Sequence, residues 1–183
     1  KGLDFPNVQL VGVIDADTAI DLPDFRASER TYQLVSQVCG RCGRGNADAT
    51  AIIQTFSPEA PAILLASKTD YETFANNEIA YRQNANVPPV SRMVRFIIKD
   101  RSFEQAAGRA DSLCERLRSI GGDGIAISPA AACVIPRIAD RFRFDLTVTA
   151  TTSQALQKFL VEARKTVKPG RDLAIDVDPI SML

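Results

Sequence analysis

The stretch Arg30 to Gly45, RTYQLVSQVCGRCGRG, gathers residues suited to holding phosphate. Arg30, Gln33, Gln37, Arg41 and Arg44 are spaced +3, +4, +4 and +3, which lines them along one helical face. Gly40, Gly43 and Gly45 remove side chains around the last two arginines, leaving bare backbone N–H groups beside two guanidinium forks. Arginine suits this role better than lysine, because its fork is always charged and binds phosphate oxygens two at a time. A solvated polar stripe ended by a glycine-rich turn has the same spacing, so the pattern alone leaves both readings open. The chain contains no histidine, which excludes His-based triads, His general bases and His metal ligands within it.

A second set of cations lies further along the chain. Residues 1–81 carry 6 Lys+Arg against 11 Asp+Glu, whereas residues 82–147 carry 11 against 7. An acidic first part joined to a basic second part suggests two modules, the second facing an anionic partner. Arg92, Arg95, Arg137, Arg141 and Arg143 are the phosphate-contact candidates there. Arg141 and Arg143 alternate with Phe142 and Phe144, so a strand places both arginines on one face and both rings in the core. Ion pairs to Asp140 and Asp145 are the competing use of these arginines.

Cys39-Gly40-Arg41-Cys42 is formally a C-x-x-C, open to a zinc half-site, a redox pair or simple packing. A structural zinc site needs four ligands, and a redox pair belongs at a helix N-terminus, where the dipole lowers the thiol pKa. This pair instead follows a predicted helix, and packing beside glycines is expected, with no metal bound.

The elements that must position these residues follow from periodicity. The 183 residues are 45% hydrophobic and 24% charged, which fits one ordinary domain or two small ones. No apolar run is long enough for a transmembrane helix. The chain opens at Lys1 without a leader pattern and is expected to be a piece of a longer protein. Val8–Ile14 reads as a strand buried on both faces, with Asp15 and Asp17 at the end where open α/β sheets place ligands. Ser28–Val38 reads as a helix, and Ala51–Phe56 as a second buried strand. Ser57-Pro58-Glu59 should open a short helix, and Tyr71–Asn84 a longer one with Tyr71, Phe74, Ala75 and Ile79 inward. Val87-Pro88-Pro89-Val90 is a stiff connector, so the domains are expected at 1–86 and 87–183.

The second module reads as strand Met93–Ile98, a helix capped by Ser102 and Gln105, and a short strand at Ile125–Ser128. Strand Phe142–Ala150, helix Thr151–Thr166 and strand Leu173–Val177 follow. That β-α-β-β-α-β order is the split βαβ plan of an α+β domain.

The motif Q-x-x-G-R-x-G-R (Gln37, Gly40, Arg41, Gly43, Arg44), after G-x-D-F-P (Gly2, Asp4, Phe5, Pro6), resembles motifs VI and V of superfamily 2 helicases. Branched-DNA translocases such as RecG share this pair. Longer segments narrow the likeness: Lys1–Asp17, Leu22–Arg26, Glu29–Leu34 and Pro88–Arg92 are similar to the PriA family of bacterial replication-restart helicases, also called primosomal protein N′. So are Pro136-Arg137, Arg141-Phe142-Arg143 and Asp176–Pro179, in one register throughout. The family usually has alanine at the positions of Cys39 and Cys42.

The resemblance implies the C-terminal part of a RecA-like parallel-sheet lobe followed by a small domain likened to ribosomal protein S10. It implies an ATP-dependent 3′-to-5′ DNA helicase that recognises stalled or branched forks and initiates primosome assembly. Arg41, Arg44 and Gln37 would then serve ATP hydrolysis, one arginine as a finger on the transferring phosphoryl group. Gly2, Asp4, Gly40 and Gly43 would couple the nucleotide cleft to the DNA track. ATP and Mg²⁺ are implied for the complete protein, with zinc held upstream and none of these bound by this chain alone. The chain has no G-x-x-x-x-G-K-[ST] loop, so it is expected to bind DNA but not to hydrolyse ATP.

The implied partners are branched and single-stranded DNA, other primosome proteins and the acidic tail of single-stranded DNA-binding protein. Gln157 matches a polar position of the pocket for that tail, and Ser153 stands where the family has a basic residue. The implied setting is the bacterial cytoplasm, at the nucleoid. A fork-binding adaptor with a decayed ATPase is the alternative, and an S10-type RNA-binding module is a third reading. A partial lobe in residues 1–81 should expose apolar faces and pack on the second module or self-associate.

Overall fold

A computed structural model describes residues 8–42 and 49–182. Gly2, Asp4, Gly43 and Arg44 lie outside the described residues. The chain divides into two compact units, 1–81 and 82–183.

Unit 1 contains β1 (Leu10–Val13), α1 (Asp17–Ile20), α2 (Ala27–Cys39), β2 (Thr50–Ile53), α3 (Pro61–Ser67) and most of α4 (Tyr71–Asn84). Strands β1 and β2 pair in parallel, with Leu10 opposite Thr50 and Val13 opposite Ile53. Parallel pairing needs a crossover, and α1 and α2 supply it. Helix α2 buries Tyr32 and Val35 against Ala62 and Ala66 of α3 and Phe74 of α4. Tyr32 stacks on Phe74 with ring centroids 4.2 Å apart.

Three expectations for this unit change. The two strands are not buried on both faces: Leu10, Ile14, Ile52 and Phe56 are exposed, Phe56 at 93%. The helices of unit 1 cover one face, where Val13 and Ile53 pack with Ile63, and the alternate side chains point away from it. Ser57-Pro58-Glu59 forms a turn, closed by the Ala60 N–H on the Ser57 carbonyl, and the helix starts at Pro61 instead. Proline is tolerated at either first helical position, so the sequence offered two starts and the turn took the first. In α4, Phe74 is buried while Tyr71 and Ile79 are exposed.

Unit 2 contains the end of α4, then β3 (Arg92–Asp100), α5 (Phe103–Ser119), β4 (Ile125–Ile127), β5 (Ala131–Ile138), β6 (Arg141–Ala150), α6 (Ser153–Thr166) and β7 (Leu173–Val177). The units divide inside α4, whereas the sequence places the boundary at 86–87. The sheet runs β4-β6-β3-β7, every pair antiparallel, with β5 also on β6. Strands β4 and β5 occupy one position in the sheet. The first pairs Val148–Ala150 and the second Arg141–Asp145 of the same strand. Ser128 bridges the break, its hydroxyl accepting the Thr147 N–H at 2.9 Å.

Strand β5 has no counterpart in the sequence reading. The structure accommodates Pro136 in a bulge, where residues 133–136 of β5 lie opposite Arg143 alone. Helices α5 and α6 pack on one sheet face. Val94, Phe96 and Ile98 of β3 and Leu146, Val148 and Ala150 of β6 meet Ala110, Leu113 and Leu117 of α5 and Leu156 and Phe159 of α6. The Ser102 hydroxyl caps α5 by accepting the Gln105 N–H. The reciprocal contact comes from the Asp100 carboxylate, which accepts the Ser102 N–H at 3.2 Å, rather than from Gln105.

Candidate phosphate turn and nucleic-acid interface

Helix α2 exposes Gln33 and Gln37 on one side and ends at Gly40. Gly40 sits in right-handed helical space, its N–H on the Ser36 carbonyl at 2.9 Å. It therefore uses no left-handed freedom, and a Cβ there would stand 3.2 Å from that carbonyl. The turn continues with Arg41 N–H on Val38 and Cys42 N–H on Cys39. Arg41 is half-buried on this turn. Arg30, at the other end of the expected stripe, is committed to Asp24 at 2.9 Å, and Gln33 donates to Glu29 at 3.1 Å. The stripe thus divides into an end tied within the fold, at Arg30 and Gln33, and a candidate end at Gln37 and Arg41.

Cys39 packs against the cluster around Tyr32 and Val35, and burial pushes its thiol pKa up. The Cys42 thiol points to the Thr50 carbonyl at 3.3 Å. Asp17 acts as a clamp: its carboxylate accepts the Phe56 N–H and the Thr55 hydroxyl, both at 2.8 Å, tying together the segments that follow β1 and β2.

The five arginines of unit 2 do not form one exposed patch. Arg95 is 1% exposed and donates from Nε to Asp145 at 2.6 Å and from Nη1 to the Ser181 carbonyl at 3.4 Å. Arg143 is buried and donates to the Ile135 carbonyl at 3.3 Å. Both face the side of the sheet opposite the helices, where the β5 bulge and the residues after β7 cover them. Neither is placed to meet phosphate, which corrects the sequence-based expectation for these two. Arg92 and Arg137 are exposed and pair with Asp178 at 2.7 Å and Asp140 at 3.0 Å. Arg137 also lies over the Phe142 ring, 5.2 Å from its centroid.

Arg141 bonds to Asp172, which also lies 4.0 Å from Arg109 of α5. Arg109 in turn holds Asp100 at 2.8 Å. Sequence reasoning missed Arg109. The available signal was the spacing of Arg109, Ser112 and Arg116 along one side of α5. Phe142 is partly buried and Phe144 buried, both edge-on to Phe103. Ser153 and Gln157 are exposed one turn apart on α6.

The carboxylates of this network set an acid limit. Asp172 is held below the ordinary carboxylate range chiefly by its bond from Arg141. Asp100 is lowered by the Ser102 N–H and then by Arg109; in unit 1, apart from this network, Asp17 is lowered chiefly by the Phe56 N–H. A depressed folded pKa stabilises the fold above the unfolded value, about 3.9, and that stability is lost as pH falls through the folded value. Asp172→Asn should therefore be less stable than wild type at neutral pH, and the gap should close below about pH 4. Hydrogen exchange of β7 amides across that range checks this. A gap independent of pH would show that the ionised carboxylate contributes nothing.

Residues 83–180 match the model of the primosomal protein N C-terminal domain. The chain belongs to the PriA family. Its whole length aligns with the replication restart protein PriA of Bacillus subtilis (strain 168), at 36% identity over 188 residues covering 23% of that protein. The PriA protein of Treponema pallidum (strain Nichols) is 36% identical over 190 residues, covering all of this chain and 28% of the relative. That of Borreliella burgdorferi is 30% identical over 185 residues, again across all of this chain and 28% of the relative. The chain thus spans about a quarter of the length of these PriA relatives. The family-model match lies wholly within unit 2, while the alignments to whole PriA proteins take in unit 1 as well. No helix among the described residues is long and apolar enough to cross a membrane.

Proposed function

We propose that the chain is the C-terminal part of an ATP-dependent DNA helicase that recognises branched replication forks and assembles the restart machinery. Unit 1 is the end of the second RecA-like lobe, and unit 2 is an S10-like DNA-binding domain. The observation that carries this reading is the alignment of the entire chain, both units in one register, with proteins named for replication restart. The parallel β1–β2 pair with α2 between them, and the turn that presents Arg41 just beyond Gln37, support the lobe assignment.

In that role Arg41 and Arg44 reach toward ATP bound by the preceding lobe, where guanidinium forks stabilise charge on the transferring phosphoryl group. Gln37 orients the nucleotide, and Gly2 and Asp4 couple the cleft to the DNA track. The chain has no Walker loop, so it should show no ATP hydrolysis when assayed alone. The acidic tail of single-stranded DNA-binding protein would meet α6 at Gln157, with Ser153 supplying no charge to it.

The test is fluorescence anisotropy of this chain with a labelled fork, a duplex and a single strand at two salt concentrations. Tighter binding to the fork, weakened by salt as phosphate contacts require, is the expected outcome. Equal binding to all three, or none at low salt, would remove fork recognition from this part of the protein.

A further inference from the structure

Unit 2 has a cavity of about 480 Å³ between α5 and the start of β7. Ile98 and Leu113, both 2% exposed, and the half-buried Leu173 make its apolar floor. Gln105, Arg109, Ser112 and Arg116 are exposed around it, recurring every three or four residues along one side of α5. Gly108 also lines it, with open space within 4 Å of where a Cβ would stand. The acids of the helix, Glu104, Asp111 and Glu115, share a different strip, about 100° round the axis from these.

The cationic line continues past the cavity. Arg116 and Arg109 are seven residues apart, on the order of 10 Å of helix rise. Asp172 then links Arg109 to Arg141, and Asp100 fixes Arg109 from the other side. Lys99, Arg101 and Arg171 adjoin those two carboxylates in sequence, so cations outnumber acids at this end of the sheet. A single carboxylate needs one guanidinium. A line of three, two of them held in place by carboxylates, matches an anion that repeats.

We infer that this groove seats a single-stranded DNA segment, with phosphates on Arg116, Arg109 and Arg141 and one nucleotide's sugar or base against Ile98, Leu113 and Leu173. The volume falls in the range of small-ligand pockets. A base still paired in a duplex is not free to enter a cavity. The inference rests on the reading of unit 2 as a DNA-binding domain and locates the contact on α5, a surface that reading leaves unassigned.

The test is anisotropy titration of the 183-residue chain with labelled oligothymidine over a salt series. Arg109→Gln with Arg116→Gln should weaken binding on the order of tenfold and reduce the salt slope by about 1.4, the value for two single-strand phosphate contacts. Lys158→Gln with Lys165→Gln removes the same charge from α6 and should change neither quantity to that extent. Arg116→Gln alone guards against misfolding, because the Arg116 Nε bond stays within its own helix, on the Ser112 carbonyl. It should lower the slope by about 0.7.

Unchanged binding and slope in the double variant would overturn the inference while leaving DNA binding by unit 2 intact. So would equal losses in the α6 control, which would mean that only net charge matters. Loss of binding to an acidic peptide with DNA binding preserved would reassign the groove to a protein partner. Absence of oligothymidine binding by the wild type at low salt would sink the inference together with the DNA-binding reading beneath it.

Discussion

Arg95→Met should destabilise unit 2 by about 3–5 kcal/mol, the cost of leaving one partner of a buried ion pair alone. Arg95 is 1% exposed and its partner Asp145 is 17% exposed. The pair spans the two central strands on the face opposite the helices, with Arg95 of β3 (opposite Thr147) and Asp145 of β6 (opposite Ile97) diagonal to each other. Removing the guanidinium leaves a carboxylate poorly reached by water, with the Cys133 thiol nearby, itself pushed up by burial and then by Asp145. Removing both charges together should restore most of the loss, because the desolvation cost then vanishes with the attraction. Native-state hydrogen exchange of β3 and β6 amides reads this directly, without treating a two-unit chain as two-state. A loss below about 1 kcal/mol for Arg95→Met would show that the pair behaves as a surface one. A double variant, Arg95→Met with Asp145→Leu, as unstable as the single would show that the loss comes from packing.

In the longer helicase proposed above, Arg41→Ala or Arg44→Ala should lower kcat for DNA-stimulated ATP hydrolysis on the order of 10³-fold or more, the worth of an arginine finger. The other substitution should act mainly on KM, as a residue does that binds ground state and transition state alike. The two single variants, assayed at saturating DNA, separate these roles. Arg41 stands on a turn closed by the Cys42 N–H on the Cys39 carbonyl and by its own N–H on the Val38 carbonyl, backbone bonds that truncating its side chain leaves in place. If both variants kept kcat within a few-fold of wild type, the motif would be a structural turn and the adaptor reading would gain.

Much of the fold was legible because its elements obey local rules. Tyr71–Asn84 forms a helix over the expected residues, and of the apolar stripe that the spacing of α5 gives (Phe103, Ala106, Ala107, Ala110, Leu113, Cys114, Leu117 and Ile120) five residues are buried, Ala107 and Ile120 are partly buried and Phe103 is exposed. Strand β6 alternates in burial as its sequence alternates from Phe144 to Ala150, whereas at its start Arg143 is buried like its neighbour Phe144. The misread elements are those where two local signals compete. Pro58 and Pro61 both suit a helix start, and Pro136 masks a strand that only an edge bulge can hold.

The candidate sites divide along the same line. Residue type and spacing make Gln37, Gly40 and Arg41 candidates, because a motif on one helix end is local and its geometry follows from the helical repeat, and the family resemblance favours the phosphate reading over a solvated stripe. Residue type likewise marks Arg95, Arg141 and Arg143 as cations that want anions. It does not say which anion. That choice depends on partners such as Asp145, 50 residues from Arg95, and Asp172, 31 residues from Arg141, brought near only by the register of the sheet. The sequence by itself pointed to the family, to most of the elements and to the cations available. Tertiary structure alone decided which of them are spent inside the fold, since an arginine's charge is the same wherever it sits and its access to solvent is not.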